Sequence, residues 1–196
     1  ALAGSVDQKK SLLEKIAEGK KLISFAHTEP RSRFNLQHVE LTATKDGESY
    51  KLNGEKAVVH NAETADLIIV SARTSGDIRD KDGITLFLVD SKTEGLEFRS
   101  YPTIDGLRAS ELSFDSLVVD SEQVLGDLNA GLNVLERVID RASVLLCAEA
   151  AGAMDTAVKL MVDYIKNREQ FGQPIGAFQV LQHRSVEMLG AKDFSR

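Results

Sequence analysis

The chain has 196 residues, of which 42% are hydrophobic and 28% are charged, and its formal net charge is −6. These values are typical of a globular protein, and the negative charge argues against nucleic acid or an anionic membrane as a main partner. No apolar run approaches the roughly 20 residues of a membrane span, and the first ten residues lack the apolar core of a signal peptide.

Cysteine and histidine usage excludes two further classes. A single cysteine, Cys147, excludes an internal disulfide framework and suits a reducing compartment, so we expect a cytoplasmic protein. Because Cys147 lies among apolar residues, we expect a buried structural thiol rather than a nucleophile. The four histidines are scattered, and none has the spacing of a metal site.

The first elements are a helix and a strand. Residues 6–18 have helical periodicity and are followed by Gly19, a typical C-terminal stop. The strand begins at Leu22 and ends at Thr28-Glu29-Pro30, because proline cannot continue a strand ladder. Such a turn exposes backbone N–H groups and the Thr28 hydroxyl, which suit a flat polar ligand. On the tripeptide alone, an ordinary turn is the simpler interpretation.

Period-two patterns dominate the next hundred residues. They predict a hairpin over residues 39–54 with an Asp-Gly turn, and a second tight turn at Asn53-Gly54. Further strands are predicted at residues 56–60, 66–72, 84–90, 96–101 and 111–119. About eight short strands at this spacing favour a β-barrel or sandwich.

The last third is helical. From Gly131 onward, residues 132–168 contain no proline and repeat apolar residues at helical spacing, which predicts one long helix of about 37 residues ended by residues 171–174. A second helix is predicted from Ala177 to Gly190. We therefore predict an α+β fold with three parts: the end of a helical domain (1–21), a β-domain (22–130) and the start of a helical bundle (131–196).

Generic catalytic signals are absent, since the chain has no GxSxG, P-loop or GxGxxG motif. Eight short patterns remain in a fixed order: TEP (28–30), NGEK (53–56), VVHN (58–61), GITLFLV (83–89), GLRAS (106–110), LSFDSLVV (112–119), LGDLNAG (125–131), and RxxFGxPI with a later Gln (168–179). In this set and order the chain resembles the acyl-CoA dehydrogenase family of flavoproteins. The resemblance covers nearly the whole chain and corresponds to the middle of a family subunit.

The resemblance implies an FAD site. Phe25, His27 and Thr28 take the positions that line the flavin ring, with Thr28 hydrogen bonding to it. A second strand that passes flavin N5 corresponds to Val58, Val59 and His60, where the family usually has a small hydroxyl residue in place of His60. Two alternatives stay open: Phe25 as a simple core residue and His60 as a surface histidine at a strand end.

The resemblance also implies an oligomer. Arg168, Phe171 and Gln179 match residues that contact the FAD of a neighbouring subunit, with Arg168 suited to the pyrophosphate. Each site then needs two chains, in a homo- or hetero-oligomer that is a dimer or tetramer. The alternative for Arg168 is a cation favoured at a helix C-terminus.

The implied chemistry is the α,β-dehydrogenation of an acyl-CoA thioester in fatty acid and lipid metabolism. In the family a carboxylate removes the α-proton, the β-hydride passes to flavin N5, and an electron-transfer flavoprotein accepts the electrons. The catalytic Glu of the family normally lies beyond the matched region, and no residue of this chain takes that role.

The substrate side departs from the family pattern. Arg31-Ser32-Arg33-Phe34-Asn35 stands where the family usually has Gly-x-Gly-Ser-Asp. Phe34, Arg108 and Asp140 are the candidate substrate-binding residues. Two hypotheses follow: a flavoenzyme for an unusual acyl-CoA, which we favour, or a non-catalytic partner subunit of a hetero-oligomer. A flavin oxidase or monooxygenase on the same scaffold is a third.

Overall fold

The computed structural model describes residues 1–195, which form two compact units, residues 1–136 and a unit that begins at Arg137. Among the helices of residues 1–195, none is both long and apolar enough to cross a membrane.

The first unit begins with helix α1 (Val6–Ala17). Ser5 caps its N-terminus in a reciprocal pair of hydrogen bonds with Gln8. At the other end Gly19 has φ +70°, and the Lys20 amide donates to the Lys15 carbonyl at 2.8 Å, which closes the last turn. The predicted helix and its glycine stop are therefore confirmed.

One seven-stranded sheet forms most of the first unit. Its strands are β1 (Ile23–Ala26), β2 (Thr42–Asp46), β3 (Ser49–His60), β4 (Leu67–Arg73), β5 (Ile84–Asp90), β6 (Leu96–Pro102) and β7 (Arg108–Asp120). The spatial order is β1-β4-β2-β3-β7-β6, with β5 antiparallel to β4. β1 runs parallel to β4, and most other pairs are antiparallel. The predicted α+β class is confirmed.

The predicted turn at Asn53-Gly54 is wrong. Residues 49–60 form one continuous strand, β3, whose register against β7 shifts between Leu52 and Gly54 and again between Lys56 and Val59. Gly54 has φ +138°, and a Cβ there would lie 2.8 Å from the Leu41 Cα. The glycine therefore serves a bulge and a close backbone approach rather than a chain reversal.

Two apolar clusters fill the first unit. The larger joins the inner faces of the strands and includes Leu52, Val59, Phe87 and Leu112. The smaller contains five buried residues, Val39, Ile84, Leu86, Leu132 and Leu135, with Phe25 packed against it. The first turns of the long helix are therefore bound to the β-domain.

That helix is α2 (Gly131–Asn167), with the 37-residue length that the sequence predicts. In the second unit it is followed by a short hairpin of β8 (Glu169–Gln170) and β9 (Gln173–Pro174), and by α3 (Gln179–Phe194). The Ser185 hydroxyl lies 3.4 Å from the Met161 sulfur, joining α3 to α2.

Most apolar side chains of the second unit are exposed in this chain. Among the described residues from Arg137 onward, Val158 is the only buried hydrophobic residue. Cys147 is exposed, so the expected buried thiol is wrong for this chain. The sequence pattern showed that the helix is apolar but did not show which of its faces is covered.

Candidate functional site

The turn after β1 is held by a buried carboxylate. The Glu29 side chain is 1% exposed and accepts hydrogen bonds from the backbone amides of Glu40, at 2.6 Å, and Leu41, at 3.1 Å. The Glu29 amide donates to the Ser32 hydroxyl at 3.0 Å. Pro30 is thus followed by a closed turn, and hydrogen bonds fix the position of this turn relative to Glu40 and Leu41.

Lys56 of β3 provides the third partner of that carboxylate. Its side chain is completely buried, and Nζ donates to Glu29 Oε1 at 2.7 Å and to the Ser71 hydroxyl at 2.9 Å. Burial lowers the pKa of the Lys56 amine, and the charge and hydrogen bond of Glu29 oppose that shift. A buried ion pair of this kind fixes two segments firmly, because an isolated charge left behind would be costly.

The sequence interpretation missed this pair. Glu29 and Lys56 belong to the TEP and NGEK patterns, yet neither was assigned a role of its own. One signal was available: Tyr50, Leu52, Gly54 and Lys56 alternate along β3, so Lys56 falls on the core-facing side. A lysine on the buried face of a strand requires a partner.

The ends of β1 and β3 meet beside this ion pair. The Ala57 amide donates to the Thr28 carbonyl at 2.8 Å, and the Ser24 hydroxyl donates to the His60 carbonyl at 2.6 Å. The two segments, residues 25–28 and 58–60, are called the strand-end site below. The structure therefore brings together the two groups of residues in the first unit that the sequence assigned to the flavin.

On the β1 side, two rings and a hydroxyl form the strand-end site. The Phe25 and His27 rings stack with centroids 4.9 Å apart and planes 24° from parallel. His27 Nε2 lies 3.3 Å from Thr28 Oγ1, whereas His27 Nδ1 is buried and has no partner within residues 1–195. Phe25 is half-buried against the smaller core cluster, so it is a packing residue with one stacked face.

On the β3 side, the strand bulges. Val58 has φ +53°, an unusual conformation for a β-branched residue, and its side chain is exposed. Val59 is 1% exposed and belongs to the larger core cluster, so its side chain faces the core. The His60 side chain is exposed.

Tyr101 of β6 is joined to the neighbouring strand β7. Its hydroxyl donates to Glu111 at 3.2 Å. Burial and the Glu111 carboxylate raise the pKa of this hydroxyl, which therefore stays protonated as a donor.

The substrate-side candidates of the first unit lie on its surface. The Phe34 side chain is fully exposed, in a turn where Arg33 has φ +50°. Arg31 is largely exposed, 4.0 Å from Glu40. Arg108 pairs with Glu63, whose carboxyl pKa is lowered by hydrogen bonds from Ser100 and then Arg108.

The second unit holds the other candidates. The hairpin tip consists of Phe171 and Gly172, with φ +55° and +78°, and it exposes the Phe171 ring. This ring and that of Phe178 are nearly perpendicular, with centroids 6.1 Å apart. Arg168 and Gln179 are exposed at the two ends of this hairpin segment. Asp140 is exposed on α2, beside a shallow depression formed with Arg141, Val144 and Leu145.

Neither unit carries a metal centre in its described part, since residues 1–195 contain no group of three or more His, Cys, Asp or Glu side chains placed to hold an ion. The strand-end site offers a ligand three features: a flat stacked pair of rings, a hydroxyl, and exposed residues at a bulge.

Comparison with known proteins places the chain in a family. The sequence profile of the acyl-CoA dehydrogenase middle domain matches residues 24–117, and that of the acyl-CoA dehydrogenase C-terminal domain matches residues 129–193. The 3-(aryl)acrylate reductase of Clostridium sporogenes is 34% identical over 190 residues, which are 95% of this chain and 50% of that protein. The chain spans about half the length of the curated relatives it matches.

Solved structures agree. The butyryl-CoA dehydrogenase of Megasphaera elsdenii superposes with a TM-score of 0.90 at 30% identity, over 98% of this chain and 51% of that one. A structure described as the FAD complex of PigA gives a TM-score of 0.91 at 29% identity, over 97% of this chain and 50% of that one. This chain belongs to the acyl-CoA dehydrogenase family, and it contains sequence that matches both the middle domain and the C-terminal domain of that family.

Proposed function

We propose that the protein carrying this chain is an FAD-dependent acyl-CoA dehydrogenase that removes the α and β hydrogens of an acyl-CoA thioester. The observation that carries the proposal is the strand-end site, where two strand ends that match the flavin-contacting positions of the family meet and are fixed by the Glu29–Lys56 ion pair. The solved relative described as an FAD complex supports the choice of cofactor.

The residues present fit a flavin. An isoalloxazine ring has flat apolar faces and a polar edge, and the strand-end site offers the stacked Phe25 and His27 rings beside the Thr28 hydroxyl. In the second unit Arg168 suits the diphosphate of FAD, and Phe171 and Gln179 suit contacts with the cofactor.

When bound, FAD supplies the acceptor for the β-hydride of the substrate. The chain's own part is to hold the ring still and to direct hydrogen bonds at its polar edge, where negative charge develops during reduction. Thr28 is the proposed donor, and the fixed backbone at Val58 and His60 shapes the same edge. Phe34, Arg108 and Asp140 are the proposed substrate contacts, and no residue of the chain is assigned as the base.

The assembly follows from the same proposal. Arg168, Phe171 and Gln179 serve the FAD of a neighbouring subunit, so the active protein is a homo- or hetero-oligomer. Apolar residues are exposed on α2 and α3, which supports the proposal that further protein covers these helices in the assembly. An electron-transfer flavoprotein is the proposed electron acceptor. We also propose domain boundaries between residues 21 and 22 and between residues 130 and 131.

The test is spectroscopic. The native assembly is purified, its flavin absorbance is recorded, and a panel of acyl-CoA thioesters is added without oxygen. The proposal predicts a yellow protein whose absorbance bleaches with at least one thioester. A colourless protein that gains FAD only with a co-expressed homologue contradicts it and favours the partner-subunit hypothesis. Oxygen consumption without acyl-CoA favours the oxidase or monooxygenase.

A further inference from the structure

His27 has an unusual hydrogen-bonding position. It directly follows β1, its ring stacks on Phe25, and its Nε2 atom lies 3.3 Å from Thr28 Oγ1. Its other nitrogen, Nδ1, is buried without a hydrogen-bond partner within residues 1–195. The ring therefore has one polar contact, and that contact is the hydroxyl that the proposed function assigns to the flavin.

The two neutral tautomers have different consequences. With the proton on Nδ1, a buried N–H is left without an acceptor, while Nε2 takes the hydroxyl proton of Thr28. With the proton on Nε2, Nδ1 carries only a lone pair, which is the cheaper group to leave unpaired. Nε2–H then donates to Thr28 Oγ1, and the proton of that hydroxyl stays free for another acceptor.

The surroundings also favour the neutral ring. A charged imidazolium would place an additional proton on the buried Nδ1. Lys56 and His60 of β3 lie nearby. The Glu29 carboxylate already accepts hydrogen bonds from Lys56 and from two backbone amides. Burial, then Lys56, then His60 lower the pKa of His27 below its ordinary value of 6.5.

We propose that His27 is a positioning residue. As a neutral Nε2–H imidazole it donates to Thr28 Oγ1, which orients the hydroxyl and leaves its proton free to donate to an acceptor atom on the edge of the flavin ring. This inference rests on the proposed function, because it names how that site orders its own hydroxyl. The opposite tautomer would consume the hydroxyl proton and leave Thr28 as an acceptor only.

The test is a double-mutant cycle on FAD affinity, measured by titrating the deflavinated native assembly. His27→Leu removes the donor and Thr28→Val removes the hydroxyl, and each is expected to weaken FAD binding about three- to tenfold, the range for one net hydrogen bond. His27→Gln keeps an N–H donor at the end of a side chain of similar length and is expected to stay within about twofold of the wild type.

The cycle separates positioning from mere packing. If His27 acts through Thr28, then His27→Leu has no further effect in the Thr28→Val background. The flavin absorption maxima of His27→Leu and Thr28→Val are expected to shift in the same direction, and those of His27→Gln to remain as in the wild type. Equal losses from His27→Leu in both backgrounds overturn the proposal.

A second measurement can be made whether or not the variants bind FAD. In the ¹⁵N spectrum of the histidine-labelled assembly, the His27 ring, identified by its loss in His27→Gln, is expected to show a protonated Nε2 and a bare Nδ1 near pH 7. A protonated Nδ1 overturns the proposal. A wild-type assembly that binds no FAD under any condition overturns the proposed function as well, whereas FAD binding with an additive cycle overturns only the role of His27.

Discussion

Two stretches on either side of Pro30 differ sharply in how they are held. Before and at the turn, Glu29 is 2% exposed. Its carboxylate pairs with the completely buried Lys56 of β3 and accepts hydrogen bonds from the backbone amides of Glu40 and Leu41. A few residues later, Phe34 is 100% exposed and Arg31 has only a distant surface partner in Glu40. The flavin contacts proposed at the end of β1 lie in the first stretch, and the proposed substrate contacts begin in the second.

This difference separates what the scaffold fixes from what it leaves free. The strand-end site depends on a buried ion pair and on ladder hydrogen bonds, so its geometry is set by the folding of the β-domain itself. The Arg31–Asn35 turn depends on a few local contacts, so changes there cost the fold little. Under the proposed function, the same chain pairs a rigid cofactor half with a variable substrate half.

The largest expected effect comes from breaking the buried pair. Lys56→Met leaves the Glu29 carboxylate buried and uncompensated, and we expect a loss of about 3–5 kcal/mol in the free energy of unfolding. The measurement is urea denaturation followed by circular dichroism.

A matched control lies on the same strand. Lys51 also makes a 2.7 Å ion pair, with Asp46, but its side chain is 48% exposed. Lys51→Met should therefore cost no more than about 1 kcal/mol. The double change Lys56→Met with Glu29→Gln should recover part of the loss, because no charge remains buried. Equal losses for Lys56→Met and Lys51→Met would refute the anchoring role.

The second effect compares two adjacent valines. Val59 is buried, so Val59→Gly should cost about 3 kcal/mol through lost burial and added chain flexibility. Val58 is exposed with φ +53°, and Val58→Gly relieves about 1–2 kcal/mol of backbone strain, which offsets the flexibility of glycine. Thermal unfolding of the two variants should place Val58→Gly within about 1 kcal/mol of the wild type. A Val58→Gly variant as unstable as Val59→Gly would show that the bulge is not strained.

Local sequence patterns predicted much of this fold, but they did not predict the Glu29–Lys56 ion pair that holds the turn after β1. The 37-residue α2 was predicted to within one residue at each end, because an unbroken helical period over that length leaves few alternatives. The Asn53-Gly54 turn was wrong because the same dipeptide suits a bulge, and only the close approach of Leu41 decides between them. The TEP pattern located the strand-end site through the family resemblance.

Sequence patterns did not predict the Glu29–Lys56 ion pair, for a physical reason. Glu29 and Lys56 are 27 positions apart. Glu29 lies in the turn after β1 and Lys56 lies on β3, and these two strands are not adjacent in the sheet. Their contact depends on how the sheet curls, which no local period reports. The tautomer of His27 is likewise set by the burial of one ring atom, which follows from three-dimensional packing alone.

A smaller effect is expected in the variable half. Because Phe34 is fully exposed, Phe34→Ala should change the free energy of unfolding by less than about 0.5 kcal/mol. Under the proposed function it should change KM for the acyl-CoA while FAD affinity stays as in the wild type. A stability loss above about 1 kcal/mol in the denaturation assay would show that this turn is held more firmly than its contacts indicate.

The smallest expected effect is a pH dependence. The folded-state pKa of His27 lies below 6.5, so as the pH falls from about 6.5 the unfolded chain takes up the proton first. The wild type therefore loses stability on acidification through the window between 6.5 and the lowered pKa, and His27→Gln lacks this loss. Unfolding free energies at about pH 7.5 and about pH 5.5 should show the variant gaining on the wild type at the lower pH. A difference that stays constant, or that grows in favour of the wild type, would contradict the lowered pKa.

The central claim is that the rigid stretch is the flavin-binding half of the site. Hydrogen–deuterium exchange of the native assembly, with and without FAD, measures this directly. The account predicts that FAD slows exchange at residues 27–29 and 57–60 and leaves residues 32–36 unchanged. Slower exchange at residues 32–36 with no change at the strand-end site would contradict it.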